Sequence, residues 1–174
     1  SNVKTHITGS VRALCAAAQD AAQKLGFQCR MLTDCLDCEA REAGRFLASI
    51  ARSHQQTERP LAFFAGGETV VHLTGQGLGG RNQELALAAA PGLRGTQNTA
   101  VCSFGSDGTD GPTDAAGGFV DQSSDTALRA AGLDVPQVLA ENDAYHALQK
   151  IGGLLMTGPT GTNVNDLAMV LIWR

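Results

Sequence analysis

The chain has 174 residues, 43% of them apolar and 17% charged, enough for one compact domain with its own core. A net charge of −4 without a basic patch speaks against a nucleic-acid partner. No apolar run approaches the roughly 18 residues of a membrane span. No secretory leader is visible, which points to a cytoplasmic protein. Ser1-Asn2 stands where a Met would, and reads as a cloning scar on a piece of a longer protein.

In chain order, residues 9–25 place Val11, Leu14, Cys15, Ala18, Ala22 and Leu25 on one helical face, with Gly26 as the stop. Residues 27–32 read as a strand and 38–53 as a second amphipathic helix. Its Glu39, Arg41, Glu42 and Arg45 make a solvated face. After Pro60, residues 61–65 form a buried strand, and the alternation of 69–74 suggests a hairpin partner for it. Residues 81–90 form a helix stopped by Pro91-Gly92, and 98–104 another strand. A glycine- and aspartate-rich loop fills 105–118. A helix then starts at Ser123 or Ser124, and another at Asn142, each as cap. Residues 154–157 and 166–173 are the last strands. Helices interleaved with apolar strands predict an α/β fold: a mixed β-sheet flanked by helices, in a single compact domain.

Five cysteines at 15, 29, 35, 38 and 102 are odd in number and irregular in spacing, as reduced thiols are. Cys35 and Cys38 form a C-x-x-C at a helix start, which would lower a thiol pKa. No second such pair or nearby His pair completes a zinc site.

Three polar stretches carry the candidate chemistry. The first, Gly75-Gln76-Gly77-Leu78-Gly79-Gly80, fits G-x-G-x-x-G between a strand and a helix. The hairpin before it and the missing acidic residue at the right distance weaken a dinucleotide reading. A phosphate or carboxylate cradle fits better, with backbone N–H groups and the helix N-terminus favouring an anion. Arg81 in the first helical turn opposes the helix dipole, and a bound anion would resolve that. Alternatively, Arg81 pairs with Glu84 or another acid and the glycines merely turn the chain.

The second stretch, 105–114, holds Asp107, Asp110 and Asp114 between glycines after a buried strand. Such carboxylates can ligate Mg²⁺ or accept a hydroxyl proton. The EF-hand pattern fails, and a chain of Asx-turns is the plainer reading. The third, 157–166, offers Thr160, Thr162, Asn163 and Asn165 after an apolar strand, as ligand contacts or as a tight turn.

These three stretches, extended to GGETVVHLTGQGLGGRNQELALAAA, GSDGTDGPTDAAGGFVD and TGPTGTNVNDLAMVLIW, resemble the MOFRL domain of the glycerate 2-kinase family. The likeness runs in order over about 60–174, and 7–59 resembles the segment preceding that domain. Ser106 stands where the family often has Thr, and Cys35/Cys38 has no counterpart. The resemblance implies a two-domain α/β protein more than twice this length. It would transfer the γ-phosphoryl of ATP to glycerate, with Mg²⁺, in a cleft between domains. Residues 1–174 would then be the C-terminal domain, with the larger N-terminal domain and its lysine as partner in the same full-length protein. Arg81, Asp107 and Asp110 become the expected catalytic residues, the two aspartates also as Mg²⁺ ligands. Gly77, Gly79, Gly80, Asn82, Glu84, Thr109, Thr160, Thr162, Asn163 and Asn165 become the expected contacts to substrate or phosphate. Glu68 is a third carboxylate candidate, read more simply as a polar turn residue. Some family members are labelled hydroxypyruvate reductase, so an NAD(P)-dependent reductase stands as the alternative, beside a non-catalytic binding module. A homodimer is compatible with all three.

Overall fold

The computed structural model describes residues 9–174, so Ser1-Asn2 lies outside the described residues. Twelve elements follow one another: α1 (Val11–Lys24), β1 (Gln28–Leu36), α2 (Ala40–Ser53), β2 (Leu61–Gly67), α3 (Arg81–Leu93), β3 (Thr99–Gly105), β4 (Gly117–Asp121), α4 (Ser124–Ala130), α5 (Val135–Ala140), α6 (Ala144–Lys150), β5 (Leu154–Leu155) and β6 (Asp166–Ile172). The strands form one mixed sheet in the order β1-β2-β6-β3-β4-β5. β1 and β2 pair in parallel, while β6 runs antiparallel to both β2 and β3. The carboxyl ends of β1, β2 and β3 therefore meet the start of β6 at one edge, where ligands collect in such sheets.

α1 packs over β1, β2 and β6 and buries Cys15 against Phe64 and Leu167. The other face carries α2 to α6, and α3 is its centre: from Asn82 to Ala90 every residue is buried. An all-apolar β2 between two layers follows from burial on both faces.

The chain departs from its sequence pattern at several places. Residues 69–74 form no hairpin. Gly67 adopts φ 150°, a conformation and a closeness to the Leu36 backbone that exclude a Cβ. The chain then peels toward α2: Val70 N–H donates to the Cys38 carbonyl (3.1 Å) and Ala40 N–H to the Val70 carbonyl (2.9 Å). α3 runs through Pro91 to Leu93, because a proline in the last turn forfeits only one helical bond. β4 begins inside the expected 105–118 loop; its glycines hide the strand pattern, and a Cβ on Gly118 would strike the Leu148 side chain. The short α5 carries too little periodicity to be predicted. Leu25 is exposed, since α1 ends one residue earlier. Ser123 takes the α4 cap position as expected, though its N–H donates to Asp121 (2.8 Å) and its side chain makes no cap bond, and the α6 cap position falls to Asp143, not Asn142.

Candidate functional site

The first turn of α3 presents free N–H groups to an anion, as its sequence suggests. The anion there belongs to the protein. Asp110 Oδ1 accepts from Asn82 N–H (3.1 Å) and Asn82 Nδ2 (3.2 Å), and Oδ2 accepts from Gln83 N–H (2.9 Å). A Cβ on Gly80 would collide with that carboxylate, so glycine is what admits it. Asn82 Oδ1 accepts in turn from Ser103 Oγ (2.5 Å), tying the helix start to β3. Asp110 is almost fully buried, and burial pushes its carboxyl up to about 6 against the pull of these donors.

The other glycines pack the chain against itself. A Cβ on Gly75 would strike the Glu141 backbone, one on Gly77 would sit 2.5 Å from the Asp143 Cβ, and one on Gly79 3.3 Å from the Ala144 Cβ. Asn142, left-handed at φ 54°, organises this contact. Its Oδ1 accepts from Thr74 N–H (2.7 Å) and Gly75 N–H (2.9 Å), while Nδ2 donates to Glu84 Oε2 (3.2 Å). Glu84 is buried and also takes Arg41 Nε at 3.1 Å; burial raises its pKa and Arg41 opposes the rise. Arg41 bonds Glu39 as well (2.9 Å), so half of the expected solvated face of α2 turns inward. Arg45 and Glu42, paired at 2.7 Å, stay in the solvated face expected there.

Arg81 does not pair with Glu84. Its Nε and Nη2 grip both oxygens of Asp166 at 2.5 and 3.0 Å, and Nη2 lies 3.4 Å from Glu68 Oε1. Asp166 opens β6 at the strand edge and is buried, and its hydrogen bonds hold the guanidinium more firmly charged. Nη1 has no hydrogen-bond partner among the described residues. A cleft of about 640 Å³ opens here, lined by Glu68, Val70, Leu73, Gly77, Arg81 and Pro112 among others. Gly79, Gly80 and Glu84 also border it, whereas Asn82 and Asp110 do not line it.

The second and third stretches are zipped together. Thr160 N–H donates to the Asp107 carbonyl (3.0 Å), Thr160 Oγ1 to the Ser106 carbonyl (2.5 Å), and Val164 N–H to Ser106 Oγ (2.8 Å). Asn165, at φ 68°, accepts Ser106 N–H through its carbonyl (3.0 Å). Asp107 Oδ1 accepts from Thr109 N–H (3.0 Å) and Oγ1 (3.2 Å), closing an Asx-turn. Thr109, Thr160, Thr162, Asn163 and Asn165 are all exposed.

As a metal pair, Asp107 and Asp110 do not fit. Asp110 spends both oxygens on α3, and no cluster of three or more His, Cys, Asp or Glu side chains able to hold a metal forms among the described residues. Asp107 alone keeps an oxygen without a hydrogen-bond partner among them. All five cysteines are free. Burial raises the Cys38 thiol instead of lowering it, against the expectation from a helix start.

Three residues that matter here carry no clear mark in the sequence. Asn142 reads as a cap, Arg41 as a surface charge, and Asp166 as the first residue of a strand. The one available signal is Arg81 itself, a cation that needs an anion.

The site and fold place the chain among known proteins. The MOFRL family model matches residues 61–166, and the chain belongs to that family. A D-glycerate 2-kinase of Thermotoga maritima is 56% identical over 99% of this chain and 42% of its own length. The crystal structure of glycerate kinase from that organism superposes with a TM-score of 0.94. A glycerate 2-kinase of Pyrococcus horikoshii is 44% identical over 98% of this chain and 40% of its own. An Agrobacterium vitis relative carrying a hydroxypyruvate reductase name is 39% identical over 95% of this chain and 41% of its own. The chain thus spans about two fifths of the length of these relatives. Among the described residues, no helix is long and apolar enough to cross a membrane.

Proposed function

We propose that this chain supplies the C-terminal half-site of a glycerate 2-kinase, which moves the γ-phosphoryl group of ATP to the C2 hydroxyl of D-glycerate and gives 2-phosphoglycerate. The observation that carries the reading is Arg81. Asp166 fixes it in a bidentate grip at the sheet edge, in the wall of a cleft, with Nη1 unspent. A planar guanidinium so held suits a carboxylate or a transferring phosphoryl group, where positioning and charge neutralisation do most of the work. Asp166 is a positioning residue, since it acts through Arg81. Asp107, with its spare oxygen, or Glu68, beside Arg81, takes the hydroxyl proton. Thr160, Thr162 and Asn163, exposed on the 157–165 loop, hydrogen-bond the substrates.

Mg²⁺, with ATP, belongs to this proposal, and Asp107 is the carboxylate able to reach it; when bound it would neutralise phosphate charge. Asp110 serves as the built-in counter-anion of α3. The remaining polypeptide of the longer protein closes the cleft, and the domain alone is inactive. A nicotinamide-dependent reductase is the second reading. It gains nothing from the glycine stretch, whose helix N–H groups are filled by Asp110.

The test compares ADP formation with glycerate by a chain of the relatives' full length, before and after Arg81→Ala and Asp107→Asn. The expected loss is about two decades or more for Arg81→Ala. Near-normal rates in both variants, or glycerate-dependent ADP formation by this chain alone, would overturn the proposal. Titration with NADH and NADPH separates the reductase, since the kinase reading expects no binding.

A further inference from the structure

The helical layer has a gap in its outer surface. α2 and α5 both pack on α3 but scarcely meet, and a groove of about 340 Å³ runs between them. Its floor is apolar and buried: Ala48, Ala88, Val135 and Leu139, with Pro91 and Pro136 at the sides. Gly92 keeps it open, since a Cβ there would sit 2.7 Å from the Ala48 Cβ and 3.6 Å from Arg52 Nη1. The mouth is polar and exposed. Arg45, Ser49 and Arg52 share one stripe of α2, four and three residues apart. Ser49 Oγ donates to the Arg45 carbonyl (3.1 Å) and accepts from Arg52 Nη2 (3.0 Å), which holds that guanidinium along the groove. Arg52 has no carboxylate partner among the described residues, and its Nε and Nη1 make no hydrogen bond among them. Two arginines and no acid line the groove; Glu42, the partner of Arg45, faces a separate recess beside Cys38 and Phe46. In a chain of net charge −4, this is a positive mouth over an apolar floor.

We propose that this groove is a second ligand site, for a small organic anion whose phosphate or carboxylate head meets Arg45 and Arg52 and whose apolar body lies on the floor. The charge chooses the head: a guanidinium with a free fork recognises an oxyanion at two points. The floor chooses the body, because an inorganic ion would leave Ala48, Ala88, Val135 and Leu139 uncovered. The volume falls at the small end of ligand pockets, which fits a single ring and its head group. The site is distinct from the cleft at Arg81, since the two share no lining residue. They are nonetheless neighbours through Arg41, one turn before Arg45 on α2: it donates to the Leu139 carbonyl (3.4 Å) at the groove and to Glu84 (3.1 Å) at the cleft. The proposal does not depend on the kinase reading.

Titration of this chain with phenyl phosphate, followed by NMR of alanine methyl groups, tests this. Ala48 and Ala88 report the groove, and Ala144 reports the Arg81 cleft. Saturating shifts at Ala48 and Ala88 are expected, with or without Arg81→Ala. Affinity at these two methyls should fall about tenfold in Arg52→Gln, and Arg52→Lys should recover part of it. Arg45→Gln gives an independent reading of the same mouth. Inorganic phosphate and phenol, each lacking half of the probe, should bind there about tenfold more weakly; benzoate in place of phenyl phosphate tells a carboxylate head from a phosphate. Shifts confined to Ala144, or none that saturate at Ala48 and Ala88, would overturn the proposal. So would unchanged affinity in both Arg52→Gln and Arg45→Gln, or phenol binding as tightly as phenyl phosphate. Binding in the groove of a protein without kinase activity would sink the activity and leave this site standing.

Discussion

The start of α3 and the 157–165 loop look alike in sequence, both rich in glycine, amide and hydroxyl, and differ in what fills them. At α3 the Asn82 and Gln83 N–H groups meet a carboxylate inside the protein, and Asp110, Asn82, Gln83 and Ser103 are buried together. In the loop, Thr160, Thr162 and Asn163 stay exposed and bond to backbone and to one another. A glycine-rich helix start is thus no evidence of a ligand by itself: a carboxylate 28 residues downstream closed this one. The corner should answer to stability, and the loop to catalysis. Arg81 lies on the boundary between them and should answer to both.

Arg81→Ala should have the largest effect. It leaves Asp166 buried and unpaired, which costs about 1–3 kcal/mol, less than a fully buried pair because water reaches Arg81. Turnover of the longer protein should fall by about two decades or more. Arg81→Lys should restore part of the stability but little of the rate, since a point charge cannot hold Asp166 at two points. Melting curves and steady-state rates on the same variants decide. An unchanged melting temperature for Arg81→Ala would remove Asp166 from its role.

Asp110→Asn comes next, and it tests the corner directly. The new amide would face two N–H groups with a donor, so a loss of about 1–3 kcal/mol is expected at neutral pH. The pH dependence gives a second signature. The carboxyl titrates near 6 in the folded protein against an ordinary 3.8. Between those values the folded state holds a proton that the unfolded chain has released, so this group's contribution falls as pH rises from about 4 to about 6. It is level below and above that window. Melting temperatures of the parent and of the Asp110→Asn variant should therefore converge as the pH rises through it, superimposed on a lower mean for the variant. A gap that stays constant would mean Asp110 is not the buried group described.

Periodicity and apolar runs make the α/β class and most elements legible, because α1, α2 and β2 bury residues that their own sequence marks. What is illegible depends on partners distant in sequence. Val70 alternates like a strand residue, yet its backbone is satisfied by Cys38 and Ala40, a closure only Gly67 permits. Asp110 reads as a ligand because nothing local shows that Asn82 and Gln83 face it. Glu84 is expected at a ligand for the same reason: its partners Arg41 and Asn142 stand 43 and 58 residues away. For Arg81 the sequence allows pairing with an acid, but the acid is Asp166, 85 residues on.

Asn142→Ala should have a smaller and more local effect. It frees Thr74 and Gly75 N–H and removes one donor from Glu84, but these backbone groups lie close to solvent and Arg41 still holds the carboxylate. A loss of about 1 kcal/mol and faster amide exchange confined to 72–80 are expected.

The smallest effect on stability belongs to the loop. Thr160→Val removes the Oγ1 bond to the Ser106 carbonyl but keeps the backbone bond to Asp107, and the side chain is exposed. The Ser106 carbonyl can turn to water, so the stability should stay within about 0.5 kcal/mol of the parent. If the loop serves only to turn the chain, turnover of the longer protein should be equally indifferent. If its hydroxyls meet the substrates, turnover or KM must change while the melting curve does not, because a bond to ligand is absent from the free fold. Thr162→Val makes the same comparison without touching the bond to Ser106. A shift in melting temperature with unchanged kinetics in both variants would place the loop with the corner, as structure, and leave the cleft around Arg81 as the whole of this chain's share in catalysis.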